Sequence, residues 1–211
     1  MEKIKVINVL FLSGDSNVGR SAIINRIKDK TFQKEYKSTI HDVTITKAYN
    51  YERRKLKFHL KLIEFSSEEL KYKSIPIKYI NDSHIIVLVF SNIETLNKLK
   101  NRWFNYYKEH SSIDNSRFIL VGDKSDLFGN NRDEIIKQGN EFAEEIDSYF
   151  IICSAKTDDN MDNLERFIIS SAKRSIDENE KIKSENPFLM YEKITLSKNS
   201  KKNECQDCNK Q

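Results

Sequence analysis

At 211 residues the chain has material for one ordinary domain and a tail. Charged residues make up 32% of it, both signs are interspersed, and the formal net charge is +4, too mild a balance to point to a nucleic-acid partner. No apolar run is long enough to span a bilayer, no secretory apolar region opens the chain, and 3 cysteines make no disulfide framework, so a reducing, cytoplasmic setting is expected.

Val6 to Leu12 is an apolar run predicted to be a buried strand. It leads into Ser13-Gly14-Asp15-Ser16-Asn17-Val18-Gly19-Arg20-Ser21, and a helical pattern follows in Ala22-Ile23-Ile24 through Ile27. Strand, then Gly-x-x-x-x-Gly-basic-Ser, then helix is the setting of a loop that cradles phosphate. Gly14 and Gly19 let the backbone turn its N–H groups inward, and the helix start adds its positive end. The Ser21 hydroxyl can reach Mg²⁺. The basic position carries Arg20, a larger planar fork than the usual Lys. Asn17 stands where such loops often carry Gly, and Asn tolerates positive φ better than most residues.

Residues 31–40 are polar and without period, a loop. Val43 and Ile45, then Leu56, Phe58, Leu60 and Leu62, alternate with polar residues and predict strands with one wet face. Asn50 to Arg53 between them is polar enough to turn, so a hairpin is expected, with His59 on its polar face. Ile63-Glu64-Phe65-Ser66-Ser67-Glu68-Glu69 enters a polar stretch. His84 to Phe90 is continuously apolar, as a parallel strand covered on both faces would be.

Leu96, Leu99, Trp103 and Tyr106 recur at helical spacing, with Trp103 read as core. Arg117 to Val121 predicts a strand, Ile135 to Ile146 a helix, Tyr149 to Cys153 a strand, and Met161 onward a last helix. Strands alternating with helices predict an α/β fold, a doubly wound and mostly parallel sheet with one antiparallel hairpin and helices on both faces. Ligands in such sheets bind beyond the carboxyl ends of the strands. Those ends carry the Gly14 loop, Glu64 to Glu68, Gly122 to Leu127, and Ser154 to Lys156. From about Ser184 the pattern dissolves. The expected division is a domain over 1–176 and a flexible tail over 177–211.

Gly122-Asp123-Lys124-Ser125-Asp126-Leu127 and Cys153-Ser154-Ala155-Lys156-Thr157, combined with the phosphate loop, resemble the small GTPases, and the Rab branch most closely. Tyr36-Lys37-Ser38-Thr39-Ile40 and the cysteine-bearing tail look like Rab as well, and the likeness runs from about Lys5 to Ser171. The resemblance implies a six-stranded G domain that binds GTP or GDP with Mg²⁺. Residues Gly14 through Ala22 would hold the phosphates, and Ser21 and Thr39 would meet Mg²⁺ with Glu64 behind it. Asp126 would accept from guanine N1 and N2, Lys124 would cover the base, the Ala155 N–H would meet O6, and Phe32 would flank the ring. Tyr36, Leu127, Ser154 and Lys156 belong to the same implied site.

Several positions depart from the family pattern. Asp123 replaces an Asn, and an ionised carboxylate cannot donate to guanine N7 or to the phosphate-loop carbonyls. Ser67 replaces the Gly that faces the γ-phosphate. Glu68 replaces the Gln that orients the attacking water, the implied catalytic position beside Arg20. The resemblance therefore implies either a Rab-like switch in vesicle traffic, with slow hydrolysis, or a pseudo-GTPase binding module. An unrelated P-loop ATPase or kinase would leave Asp126 and the Ser154-Ala155-Lys156 loop without a role. Implied partners are effectors, exchange factors and GTPase-activating proteins at the switch loops, and a membrane surface at the tail. There Cys205 and Cys208, with Lys198, Lys201 and Lys202 upstream, resemble prenylation positions that would hold the protein on the cytoplasmic face of an endomembrane.

Overall fold

The computed structural model describes residues 4–34, 43–65, 77–110 and 117–185. Tyr36, Thr39, Ser67, Glu68, Cys205 and Cys208 lie outside the described residues. The strands are β1 (Lys5–Ser13), β2 (Val43–Tyr51), β3 (Leu56–Glu64), β4 (Ile85–Phe90), β5 (Arg117–Gly122) and β6 (Tyr149–Ile152). The helices are α1 (Arg20–Asp29), α2 (Ile77–Asn81), α3 (Ile93–Leu99), α4 (Asn105–His110), α5 (Arg132–Glu145) and α6 (Met161–Glu185). The sheet order is β2-β3-β1-β4-β5-β6, and every pairing is parallel except β2 with β3. The hairpin turns through a 3-10 segment, Glu52–Arg54, and Lys55 at φ 50.

The inner strands are apolar at nearly every position because both faces of the sheet are covered. Leu10, Leu12, Ile86, Leu88, Phe90 and Leu120 form one core with Leu96, Leu99, Trp103, Ile135 and Phe142. The residues that alternate with them, Val9, Phe11, Val87, Val89, Ile119 and Val121, are equally buried and face the other way by the two-residue period. Ile23, Ile24 and Ile27 of α1, a helix in contact with β1 and β3, are buried too. Each such side chain contributes about 1.5–3 kcal/mol before chain entropy is counted.

The core of α3 is held at its start by Asn92. Its Oδ1 accepts from the Thr95 N–H at 2.8 Å, and Thr95 Oγ1 accepts from the Asn92 N–H at 3.0 Å, a reciprocal cap. Between α3 and α4 the chain forms a π-turn, Lys100–Phe104. Trp103 and Phe104 within this wider turn are both buried in the core. Up to Ala172 the chain forms one compact unit. The last helix runs on to Glu185, so residues 177–185, expected at the head of a flexible tail, are helical.

Strand order reverses around β1, whose neighbours are β3 and β4. That topological switch point is where open α/β sheets bind ligands, and the Gly14 loop follows β1 directly.

Candidate functional site

The loop after β1 is fixed at both glycines. Gly14 lies so close to the Thr95 carbonyl and the Leu99 backbone of α3 that no Cβ fits. Gly19 has φ 108, caps the start of α1, and sits against Asp123 Oδ2, so it too must be Gly. Asn17 is not among the residues with positive φ, so its side chain causes no backbone strain. The Asp15 carboxylate accepts from the Ser16 N–H at 2.6 Å and pairs with Lys98 at 2.9 Å. The Lys98 hydrogen bond, helped by Ser16, lowers the Asp15 pKa. Val18 turns into the core. Intrahelical bonding in α1 begins with Ile23 N–H to Gly19 O at 2.9 Å, and a helix start of this kind offers its earlier N–H groups to an anion.

Beneath the loop lie Arg20 and Glu64, both buried. Arg20 Nε is 3.8 Å from Glu64 Oε1, Arg20 Nη1 donates to the Phe65 carbonyl at 3.4 Å, and Ser21 Oγ donates to Glu64 Oε1 at 2.8 Å. Burial pushes the Glu64 pKa up, and Arg20 and Ser21 only partly offset it.

At the other end, Lys124 sits at φ 63 and donates its ammonium to the Asn17 carbonyl at 2.6 Å, joining the base-side loop to the phosphate loop. Asp126 accepts from Ser154 Oγ at 2.8 Å and pairs with Lys156 at 3.3 Å. Burial acts to raise the Asp126 pKa, but Ser154 and Lys156 outweigh it, so Asp126 stays an ionised acceptor. The Ala155 N–H, expected at guanine O6, here donates to Asp123 Oδ1 at 2.9 Å. Asp123 is buried, and desolvation pushes its pKa up to about 6 against the Ala155 and Lys124 N–H groups, the Lys124 charge and the Cys153 thiol.

A cavity of about 270 Å³ joins the two ends. Ser16, Asn17, Gly19, Arg20, Ser21 and Ala22 line its phosphate side. Asp123, Lys124, Asp126, Leu127 and Lys156 line the other side, and Phe32 closes it laterally. Gly14, Asp15 and Val18 do not line it, and Ser154 and Ala155 support it from behind through Asp126 and Asp123.

The family model described as the Ras family matches residues 9–174. The chain belongs to the Ras family. It is 30% identical over 172 residues to Ras-related protein SEC4 of Saccharomyces cerevisiae, a match covering 81% of this chain and 77% of that one. It is 29% identical over 171 residues to Ras-related protein RABE1d of Arabidopsis thaliana, covering 80% and 77%. It is 30% identical over 154 residues to GTP-binding protein YPTM2 of Zea mays, covering 72% and 73%. Among Ras-family proteins it is of the Rab type.

The structure also exposes site residues with no sequence signal. Asn25, Gln33 and Lys34 line the cavity beside the predicted set. Arg26, on α1, donates from Nε to the Ala155 carbonyl at 2.6 Å and from Nη2 to the Lys156 carbonyl at 3.1 Å. Its Nη1 donates to the Lys30 carbonyl at 2.8 Å, and its guanidinium lies 5.9 Å from the Phe32 ring centre. One planar fork thus holds the base-side loop, the helix end and the flanking aromatic together in this Ras-family chain. Among the described residues there is no cluster of three or more His, Cys, Asp or Glu side chains for a metal, and no helix long and apolar enough to cross a membrane.

Proposed function

We propose that the chain is a Rab-type guanine-nucleotide switch of membrane traffic that holds GTP or GDP with Mg²⁺ in the cavity between Gly19 and Asp126. The carrying observation is that one cavity is lined at one end by the Gly19-Arg20-Ser21 turn and at the other by Lys124, Asp126 and Lys156. The first set supplies backbone N–H groups for phosphate. Asp126 supplies paired acceptor oxygens for the N1 and N2 hydrogens of guanine, which adenine lacks. The Ser21 and Glu64 oxygens suit Mg²⁺, an ion that takes few protein ligands and completes its shell with water and phosphate oxygens. When bound, the ion would neutralise charge on the β- and γ-phosphates.

Turnover is slow in this reading. Phosphoryl transfer depends on positioning and charge stabilisation, and Glu68 would bring negative charge where the family Gln donates. Effectors, exchange factors and activating proteins would act through the switch loops, an activating protein supplying the missing cation. Cys205 and Cys208 would carry lipid and hold the domain on a cytoplasmic membrane face. Mass spectrometry of the C-terminal peptide from native cells checks that, with lipid adducts expected and free thiols contrary.

A pseudo-GTPase module without turnover is the second reading, favoured by the engagement of Arg20 with Glu64 and Phe65. Native purification followed by chromatography of the released small molecule tests the binding claim. GDP or GTP is expected; an adenine nucleotide overturns it. Single-turnover phosphate release then separates the two readings, with a slow but measurable rate expected for the switch and none for the module.

A further inference from the structure

Among the described residues, the lysine and arginine side chains that line the cavity are Arg20, Lys34, Lys124 and Lys156. All but one are engaged with the protein itself. Arg20 is 2% exposed, lies 3.8 Å from the Glu64 carboxylate and donates to the Phe65 carbonyl at 3.4 Å. Lys124 gives its ammonium to the Asn17 carbonyl at 2.6 Å, and Lys156 pairs with Asp126 at 3.3 Å. Lys34 differs. It is exposed, and among the described residues no hydrogen bond, ion pair or aromatic ring meets its ammonium. Phe32, two positions earlier, closes the cavity beside the Arg26 guanidinium, which lies 5.9 Å from the ring centre. On the helix side Ser21, Ala22 and Asn25 line the same cavity, with Asn25 one turn, about 6 Å, along α1 from Ser21. The helix start and the Phe32-Gln33-Lys34 segment thus open on one space of about 270 Å³.

A nucleotide brings several negative charges to the helix start, and the backbone N–H groups there carry only partial charge against them. Full cations must meet the rest, yet the charge of Arg20 is balanced by Glu64 and that of Lys156 by Asp126. A lysine carries its ammonium on a flexible four-carbon stem, which a charge arriving in the cavity can draw inward. We infer that Lys34 is the cation of the nucleotide phosphates in this protein: its ammonium turns in from the segment after Phe32 and meets the negative charge that Arg20, held by Glu64 and Phe65, does not. The inference rests on the nucleotide reading above. It makes Lys34 a binding residue that lies outside the phosphate loop, with an ammonium open to water and therefore sensitive to salt.

The test compares the natural protein with Lys34→Gln and Lys34→Arg by titration with GDP and Mg²⁺ and by phosphorus NMR of the bound GDP. Lys34 is exposed, so neither substitution disturbs packing. An ammonium–phosphate contact partly open to water should make Lys34→Gln bind GDP roughly 5- to 20-fold more weakly than the natural protein, and high salt should shrink that difference. Lys34→Arg keeps the charge and should stay within about threefold of the natural protein. The phosphorus resonances of bound GDP should move in Lys34→Gln. Equal GDP affinities for the natural protein and Lys34→Gln overturn the inference and leave Lys34 a solvated surface residue. A loss of affinity with unmoved phosphorus resonances overturns it as well, because the contact is then with the nucleoside. Absence of GDP binding by the natural protein and both variants sinks the nucleotide reading itself and this inference with it, whereas GDP binding that ignores Lys34 sinks the inference alone.

Discussion

Arg20 Nε lies 3.8 Å from Glu64 Oε1, and the two side chains are 1% and 3% exposed. The basic residue of the phosphate loop is thereby tied to the end of β3, and through Nη1 to the carbonyl of Phe65 just beyond it. A buried ion pair of this kind is a weak source of net stability but a strong constraint, because losing one partner strands the other.

Arg20→Lys separates the two roles. Lys is a compact point charge that cannot reach the Phe65 carbonyl and Glu64 with one fork. Stability of the nucleotide-free protein should fall by about 1–2 kcal/mol as Glu64 loses part of its compensation. GDP affinity should rise, since the ammonium is freer to turn to phosphate. Urea unfolding and a GDP titration check the two halves, and unchanged values in both would mean that the Arg20 contacts carry no weight.

Asp123→Asn should stabilise the nucleotide-free protein at neutral pH and do little in acid. The folded pKa of Asp123 is raised to about 6, so between the unfolded value near 4 and about 6 the folded state binds more protons. Stability from this group is therefore present below the unfolded pKa and is lost as pH rises through about 6. Asn removes that loss. Melting curves at pH 4.5 and 7.5 should show a gain that is larger at pH 7.5; a gain confined to acid contradicts the sign.

Arg26→Ala should loosen the base-side loop more than the fold. Arg26 holds the carbonyls of Ala155 and Lys156 from α1. Losing both bonds frees a segment that supports Asp123 and Asp126, and GDP should dissociate about tenfold faster, equivalent to roughly 1.4 kcal/mol. Stopped-flow release of a fluorescent GDP reads this directly, and an unchanged rate would make the clamp structural only.

Glu165 accepts from Lys30 at 2.8 Å, Lys47 at 2.8 Å and Tyr49 at 2.6 Å, joining α6 to the end of α1 and to the edge strand β2. Burial acts to raise its pKa, but these three partners prevail and hold it at about 2. A depressed carboxylate contributes stability above its unfolded pKa of about 4.5 and loses it as pH falls toward about 2. Glu165→Gln should cost about 2 kcal/mol at pH 7 and about a quarter of that at pH 2.5, read from denaturant midpoints. An equal cost at both pH values would assign the effect to packing.

The sheet was legible because its inner strands are buried on both faces, which writes unbroken apolar runs such as Ile85 to Phe90 into the sequence. The hairpin was legible from its alternation. Helix α2 was not, since its described residues, Ile77–Asn81, show no helical period of apolar positions in the sequence. The π-turn at Lys100–Phe104 was hidden inside a spacing that still read as helical. At the site, residues acting through their own motif stood out: Gly19, Lys124 and Asp126. Arg26 did not, since its acceptors are backbone carbonyls 129 and 130 positions away, and backbone carbonyls leave no mark in sequence. The letter at Asp123 announced a missing donor, but its burial against Gly19, which sets its protonation, is a tertiary fact.

The central claim is that the cavity between Gly19 and Asp126 selects guanine nucleotide. The most direct test is the melting temperature of the purified protein with Mg²⁺ and either GDP or ADP. At a hundredfold excess over the dissociation constant, GDP should add about 2.7 kcal/mol, or roughly 5–10 °C, and ADP should add nothing measurable. Equal shifts from both nucleotides, or none from either, would contradict the account.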